Sequence, residues 1–338
     1  DLPAVLDGSE NLRQRPMSRV IAPLCQMGAN IHSNGGKAPI TNLPRKPENE
    51  LQGIRYKMPV PSAQVKSALL IASLSAKGQT TVIETGPSRD HTERMLKVMG
   101  ANLSREKIDD CIHTTIEPRQ NQPLKPIKFQ IPGDFSSAAF IMTAALLLPG
   151  SKVMIQDTGL NWTRTGYLDV MMNMGADLTI KKQGEKQEKC GDIEVNHRLL
   201  QNVTVSGDIV VRMIDEFPAF AVLAAFSQGE CILRDAQELR LKESDRIKGI
   251  YQGLSRLGIQ IEERQDGFRI VGHPDDLEGN VILNPGNDHR MAMAFVLAGL
   301  RAKNPIIIEN SEIIHQSFPG FIPALQQLGA ESLEVIHD

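Results

Sequence analysis

Apolar residues recur along the chain in two alternating helical patterns. One is amphipathic: segments 19–31, 92–103, 165–178, 246–259 and 318–333 place apolar residues at helical spacing, reach a glycine, and pass into a β-like run. A glycine in that position suits a left-handed helix C-cap. The five glycines, Gly28, Gly100, Gly175, Gly258 and Gly329, stand 72, 75, 83 and 71 residues apart, so the chain reads as a repeat. The second pattern is apolar almost all round. It begins near Ser62, Ser136, Phe217 and His289 and reads as helices buried on every side. A short turn and a β-branched strand follow each one, as in Thr80-Thr-Val-Ile83 and Ile306-Ile-Ile308. The predicted unit is strand, buried helix, strand, exposed helix, strand, strand.

Five exposed helices against four buried ones imply that the chain starts inside a unit, with a further buried helix expected upstream of Asp1. Helices packed inside sheets predict an α/β chain of two lobes, residues 1–126 and 127–338. The Pro-rich stretch 118–126 between them interrupts helical patterning. A helical solenoid is the alternative, and the β-branched strand of every unit argues against it.

Composition narrows the function. With 41% hydrophobic and 23% charged residues the chain is globular rather than disordered. A net charge of −3 provides no global field toward nucleic acid or an acidic membrane, so any anion must be held by local cations. The longest apolar run, 138–148, is too short to span a bilayer. Cys25, Cys111, Cys190 and Cys231 have neither metal-ligand spacing nor a disulfide framework. The expectation is a cytoplasmic monomer with no metal, no cofactor, no nucleic-acid partner and no membrane contact.

Polar clusters open the helices. Ser62-Ala-Gln64, Asp134 with Ser136-Ser137, Asp215-Glu216 and Asn287-Asp-His-Arg290 head the buried ones. Arg13-Gln-Arg15, Ser88-Arg-Asp-His-Thr-Glu93, Asn161-Trp-Thr-Arg-Thr165 and Lys242-Glu-Ser-Asp-Arg246 precede the exposed ones. Helix capping accounts for Asp134, Thr163 and Asp90, the last with Glu93 as a capping box. It does not account for Arg15, Arg89, Arg246 and Arg290, since a cation in the first turn opposes the helix dipole. Arginine provides a planar fork for carboxylate or phosphate, and helix N-termini attract the same anions. Four such arginines predict a pocket for multiply anionic small molecules. In Lys242-Glu-Ser-Asp-Arg246, i,i+4 and i,i+3 spacing predicts two cations and a carboxylate on one helical face.

At these residues the chain resembles the 5-enolpyruvylshikimate-3-phosphate (EPSP) synthase family. Arg13-Gln-Arg-Pro-Met17, Pro61-Ser-Ala-Gln-Val-Lys-Ser67, Pro87-Ser-Arg-Asp-His-Thr-Glu93, Ile214-Asp-Glu-Phe-Pro218, Lys242-Glu-Ser-Asp-Arg246, Asn287-Asp-His-Arg290 and Ser317-Phe-Pro319 resemble its motifs in order. The Ser-Ala-Gln and Ser-Arg-Asp-His-Thr-Glu forms are similar to the bacterial class often described as glyphosate-tolerant. The resemblance implies an inside-out α/β barrel fold of βαβαββ units in two lobes with the site in the cleft between them, about one and a half units lying upstream of Asp1. It implies transfer of the carboxyvinyl group of phosphoenolpyruvate to the 5-hydroxyl of shikimate 3-phosphate, with phosphate released and no metal or covalent enzyme intermediate.

The resemblance also implies roles. Ser62, Ala63, Gln64 and Arg89 would hold shikimate 3-phosphate, with Asp215 and Lys242 beside it. Arg15, Gln64, Arg246 and Arg290 would hold phosphoenolpyruvate. Asp215 would accept the hydroxyl proton, Glu243 would exchange a proton with the vinyl carbon, and Lys242 would sit by both substrates. The family's N-terminal Lys-Ser…Arg segment and Asn-(Ala)-Gly-Thr loop do not occur in the chain, and Gln316 stands where some members carry Lys. A catalytically inactive fragment is therefore one alternative. The other is the sister transferase acting on UDP-N-acetylglucosamine, whose reactive Cys has no counterpart before Arg15-Pro16.

Overall fold

The computed structural model describes residues 2–46, 49–119, 122–185 and 188–336, and the chain divides into two compact units, 1–130 and 131–338. Residues 120–121 of the predicted connector lie outside the described residues.

The first unit runs β1 (Ala4–Leu6), α1 (Glu10–Gln14), α2 (Ser18–Gln26), β2 (Ile31–Asn34), β3 (Lys37–Asn42), β4 (Arg55–Lys57), α3 (Ala63–Ser73), β5 (Thr80–Glu84), α4 (His91–Val98), β6 (Leu103–Ile108) and β7 (Cys111–Ile116). The second runs α5 (Phe135–Leu147), β8 (Lys152–Gly159), α6 (Gly166–Asn173), β9 (Asp177–Glu185), β10 (Lys189–Asn196), β11 (Thr204–Val205), α7 (Asp208–Arg212), α8 (Phe217–Ala225), β12 (Glu230–Leu233), α9 (Arg246–Arg256), β13 (Gln260–Arg264), β14 (Gly267–Val271), β15 (Val281–Leu283), α10 (His289–Gly299), β16 (Ile306–Ile308) and α11 (Phe321–Gln327).

One rule generates these sheets. A strand, a buried helix and a second strand parallel to the first form a βαβ unit; an exposed helix then leads into an antiparallel hairpin that pairs back onto the second strand. Sheets ordered β4-β5-β7-β6 and β11-β12-β14-β13 show it whole. In β8-β10-β9 the first strand shrinks to a parallel bridge between Gly133 and Thr158. The β1-β3-β2 sheet and the parallel pair β15-β16 are partial versions of the unit. The unit order therefore matches the sequence pattern, and each exposed helix ends at its glycine with φ between 83° and 104°. Only glycine adopts that conformation without strain.

The buried helices α5, α8 and α10 pack against one another and form the core of the second unit. All nine residues of α8 are buried, as are all but Ser137 of α5. Alanines such as Ala139, Ala221, Ala224 and Ala294 let the backbones approach, and edge-on rings, as in Tyr167 against Phe220, fill the wider spaces. The first unit has its own smaller core around Leu69, Leu70 and Val82. There α3 departs from expectation: it is apolar all round, yet within this unit only one face is covered, and Ile71 is 56% exposed.

The contact of α9 with α10 depends on Gly253. A Cβ there would lie 2.3 Å from Phe295 Cε1, and Phe295 is itself buried in the core. In an open helix Gly→Ala would gain about 1 kcal/mol. Overpacking a core costs about 1–3 kcal/mol, so the clash wins. Gly253→Ala is expected to lower stability by the difference, up to about 2 kcal/mol. A denaturation midpoint equal to or above wild type would show that the ring yields.

Candidate active site

The second unit gathers five of the predicted residues into one cluster. Asp215 lies two residues before α8, and Lys242 and Glu243 follow the 3₁₀ turn Gln237–Leu241. Arg246 opens α9, and Arg290 is the second residue of α10. Asp215 Oδ1 lies 3.3 Å from Lys242 Nζ and 3.4 Å from an Arg246 guanidinium nitrogen. Arg290 donates to the Asp215 backbone carbonyl at 3.1 Å, and its other terminal nitrogen is 4.0 Å from Asp215 Oδ2. Glu243 Oε2 accepts from Arg246 at 2.7 Å.

Arg246 is the centre of this arrangement and is completely buried. An arginine does not shed its proton, so burial requires anions on every side. Asp288, a residue to which sequence reasoning gave no separate role, provides most of the compensation. It accepts from Nε at 2.8 Å and from a terminal nitrogen at 3.4 Å, while also capping α10 through the Arg290 and Met291 amides. Burial alone would lower the Arg246 pKa, but Asp288, Glu243 and Asp215 together raise it. Burial opposes the Asp288 charge too, and Arg246 overrides it, holding the carboxyl below its usual range.

Three cations (Lys242, Arg246, Arg290) thus face three carboxylates (Asp215, Glu243, Asp288). A fourth acid, Glu216, is fully buried next to Asp215 and accepts a hydrogen bond from Ser136 Oγ. Ser136 in turn accepts from Arg164 at 2.6 Å, and Arg164 pairs with Asp134 at 3.1 Å. Burial, then the neighbouring Asp215 charge, pushes Glu216 above the usual carboxylate range, against the pull of Arg290 and Arg164. The motifs signalled Asp288 and Glu216 only as company for Arg290 and Asp215.

The first unit carries the other predicted residues. Ser62 caps α3, accepting from the Val65 amide at 3.4 Å, and Ala63 and Gln64 form its first turn. Arg89 lies in the loop before α4.

Several expectations need correction. Of the pair that heads α8, Glu216 and not Asp215 occupies the N-cap position, and it makes no side-chain cap bond. Residues 242–245 are not helical, so Lys242 and Arg246 meet through Asp215 rather than along one helix face. Arg15 closes α1 instead of entering α2, and so sits at a helix C-terminus. The Asp90/Glu93 capping box does not form: Asp90 pairs with Arg94 and Arg105, and Glu93 turns inward to Lys66. Thr163 bonds to Asn161 and caps no helix, whereas Asp134 caps α5 as expected.

A family model for EPSP synthase (3-phosphoshikimate 1-carboxyvinyltransferase) matches residues 1–325. A 3-phosphoshikimate 1-carboxyvinyltransferase of Magnetococcus marinus is 42% identical over 339 residues, spanning 99% of this chain and 74% of the relative. A solved EPSP synthase from Acinetobacter baumannii superposes with a TM-score of 0.82 at 37% identity, over 97% of this chain and 74% of that one. An enolpyruvyl transferase from Streptomyces tendae superposes with a TM-score of 0.72 at 15% identity, over 97% and 73% of the two chains. The fold is thus that of the enolpyruvyl transferases. Within that class the chain belongs to the EPSP synthase (3-phosphoshikimate 1-carboxyvinyltransferase) family, a family of transferases.

The raised pKa of Glu216 makes a prediction about stability. The folded state holds this proton more tightly than the unfolded chain, where a glutamate titrates near about 4.3. Its contribution is therefore complete below that pH and lost as pH rises through the folded value. Glu216→Gln removes the dependence, so the variant should gain on wild type from about pH 4 toward neutrality. Thermal unfolding of both proteins across that range is the check; a difference that does not change with pH would place Glu216 among ordinary carboxylates.

Proposed function

We propose that the chain transfers the enolpyruvyl group of phosphoenolpyruvate to the 5-hydroxyl of shikimate 3-phosphate, releasing phosphate, as a cytoplasmic monomer. The observation that carries this reading is Asp215, a partly buried carboxylate held among Lys242, Arg246 and Arg290. No helix among the described residues is long and apolar enough to cross a membrane.

In this reading Asp215 takes the hydroxyl proton as the new C–O bond forms at the enol carbon. Glu243 gives a proton to the methylene carbon, producing a tetrahedral adduct. Loss of a proton from that carbon then expels phosphate and restores the double bond. The sequence needs a base and an acid in different surroundings. Asp215 lies within ion-pair distance of three cations, whereas Glu243 has a more exposed carboxylate that pairs with the Arg246 guanidinium. Arg15, Arg246 and Arg290 are the residues assigned to the donor's carboxylate and phosphate, where they would stabilise charge that grows during addition. Ser62, Ala63, Gln64 and Arg89 hold the acceptor, with Ser62 and Arg89 nearest its phosphate, and Lys242 sits beside both substrates.

Kinetics in a protein carrying this chain test the roles separately. Asp215→Asn is expected to lower turnover by about 10²–10⁴-fold, the usual worth of a positioned base, while acceptor binding persists. Near-normal turnover would remove Asp215 from the chemistry. Glu243→Gln should abolish deuterium uptake into phosphoenolpyruvate from heavy water, and unchanged uptake would assign the acid elsewhere. Arg290→Lys should raise KM for the donor, because a point charge replaces a bidentate fork.

A further inference from the structure

The first unit holds a charged cluster that the transfer chemistry does not use. Lys66, in the second turn of α3, is fully buried, with Nζ 2.9 Å from Glu84 Oε2 and 2.7 Å from Glu93 Oε1. Glu84 ends β5, is itself buried, and accepts from Ser88 Oγ through its other oxygen. Glu93 lies buried in the first turn of α4. Beside it, the hydroxyls of Ser67 and Thr92 are 2.7 Å apart.

Three segments are tied together here. They are α3, which begins with Ser62, Ala63 and Gln64; the loop after β5, which places Arg89 immediately after Ser88; and the start of α4. An ammonium buried with two carboxylates is a poor source of stability, since apolar residues of similar volume would serve as well or better. The hydrogen bonds that Glu84 accepts from Lys66 and Ser88 are directional, however, and tie helix to loop in a way apolar contacts do not, while Glu93 adds an ion pair to the same ammonium. Glu93 also has its pKa raised by burial against the pull of Lys66, which relieves the excess of carboxylate charge.

We propose that Lys66, Glu84, Ser88 and Glu93 form a positioning device that sets Arg89 against the Ser62 end of α3, so that both address the single phosphate of the acceptor. The device thereby sets the preference for a phosphorylated acceptor over its unphosphorylated counterpart. This inference rests on the reading that Ser62 and Arg89 hold that phosphate.

Lys66→Met alone would strand two buried carboxylates and endanger folding. The test is therefore the triple variant Lys66→Met/Glu84→Gln/Glu93→Gln, which keeps the shapes and removes the charges, with thermal unfolding confirming a cooperative fold. Affinities for shikimate 3-phosphate and for shikimate are measured by calorimetry, with and without Arg89→Ala. We expect about a tenfold or greater loss for shikimate 3-phosphate, the scale of a small misplacement, with shikimate unchanged. Arg89→Ala should then cost little more on top, because coupled residues are non-additive. Equal losses for both ligands, or additive effects with Arg89→Ala, would overturn the proposal. If Arg89→Ala alone leaves shikimate 3-phosphate affinity unchanged, the phosphate assignment itself has failed, and the positioning role falls with it.

Discussion

A guanidinium cannot be buried without anions around it, and the candidate active site is organised by the burial of Arg246. Its partners come from three segments that are distant in sequence: Asp215 before α8, Glu243 before α9, and Asp288 at the head of α10. None of these carboxylates could be replaced by an apolar residue without leaving charge uncompensated in the interior. The constraint therefore fixes the ends of three helices relative to one another. It also explains why the catalytic candidates Asp215 and Glu243 share a neighbour although 28 residues separate them in sequence.

The repeat makes such a meeting possible. Each βαβ unit runs its buried helix between parallel strands, so the starts of α5, α8 and α10, helices that pack together, carry the polar residues. Backbone amides left open in a first helical turn attract anions and disfavour cations. Asp288 and Asp245 each cap a helix through its first-turn amides and pair with an arginine from outside that helix, Arg246 and Arg240. The first-turn arginines are neutralised from beyond their own caps, Arg246 by Asp288, Glu243 and Asp215, and Arg290 by Asp215.

Much of this was legible from the residues, and the failures have physical causes. The five glycines, the apolar helices and the unit order are local signals, readable at a spacing of a few residues, and the fold follows them. Glu93 illustrates the opposite case. Its spacing from Asp90 fits a capping box, but a buried lysine 27 positions earlier competes for the carboxylate, and no local pattern reveals that. The stretch 242–245 fails similarly, since its helical spacing falls on residues that lie between a 3₁₀ turn and the Asp245 cap and are not helical. For α3, composition alone fixed the expectation of full burial, whereas burial depends on what packs against each face. The importance of Asp288 and Glu216 was hidden because it resides in partners that only the fold brings together.

Charge balance links this architecture to the proposed chemistry. With Asp215, Glu243 and Asp288 ionised, Lys242, Arg246 and Arg290 are matched, and a multiply anionic donor would add charge that the cluster has no spare cation to meet. Arg246 can turn toward such a donor only if a carboxylate releases it. Asp288 is the least able to do so, being fully buried, bidentate and committed to capping α10. Glu243 is better suited: it is 24% exposed, lies in a non-helical segment and reaches Arg246 through one oxygen. A proton on Glu243 would weaken that pairing and free part of the guanidinium for the donor. The same proton is the one that the proposed addition delivers to the methylene carbon, so donor binding and the arming of the acid would be one event. Transfer of the proton would then return a carboxylate to Arg246 as Asp215 takes up the hydroxyl proton, so the cluster's net charge stays constant while the adduct forms.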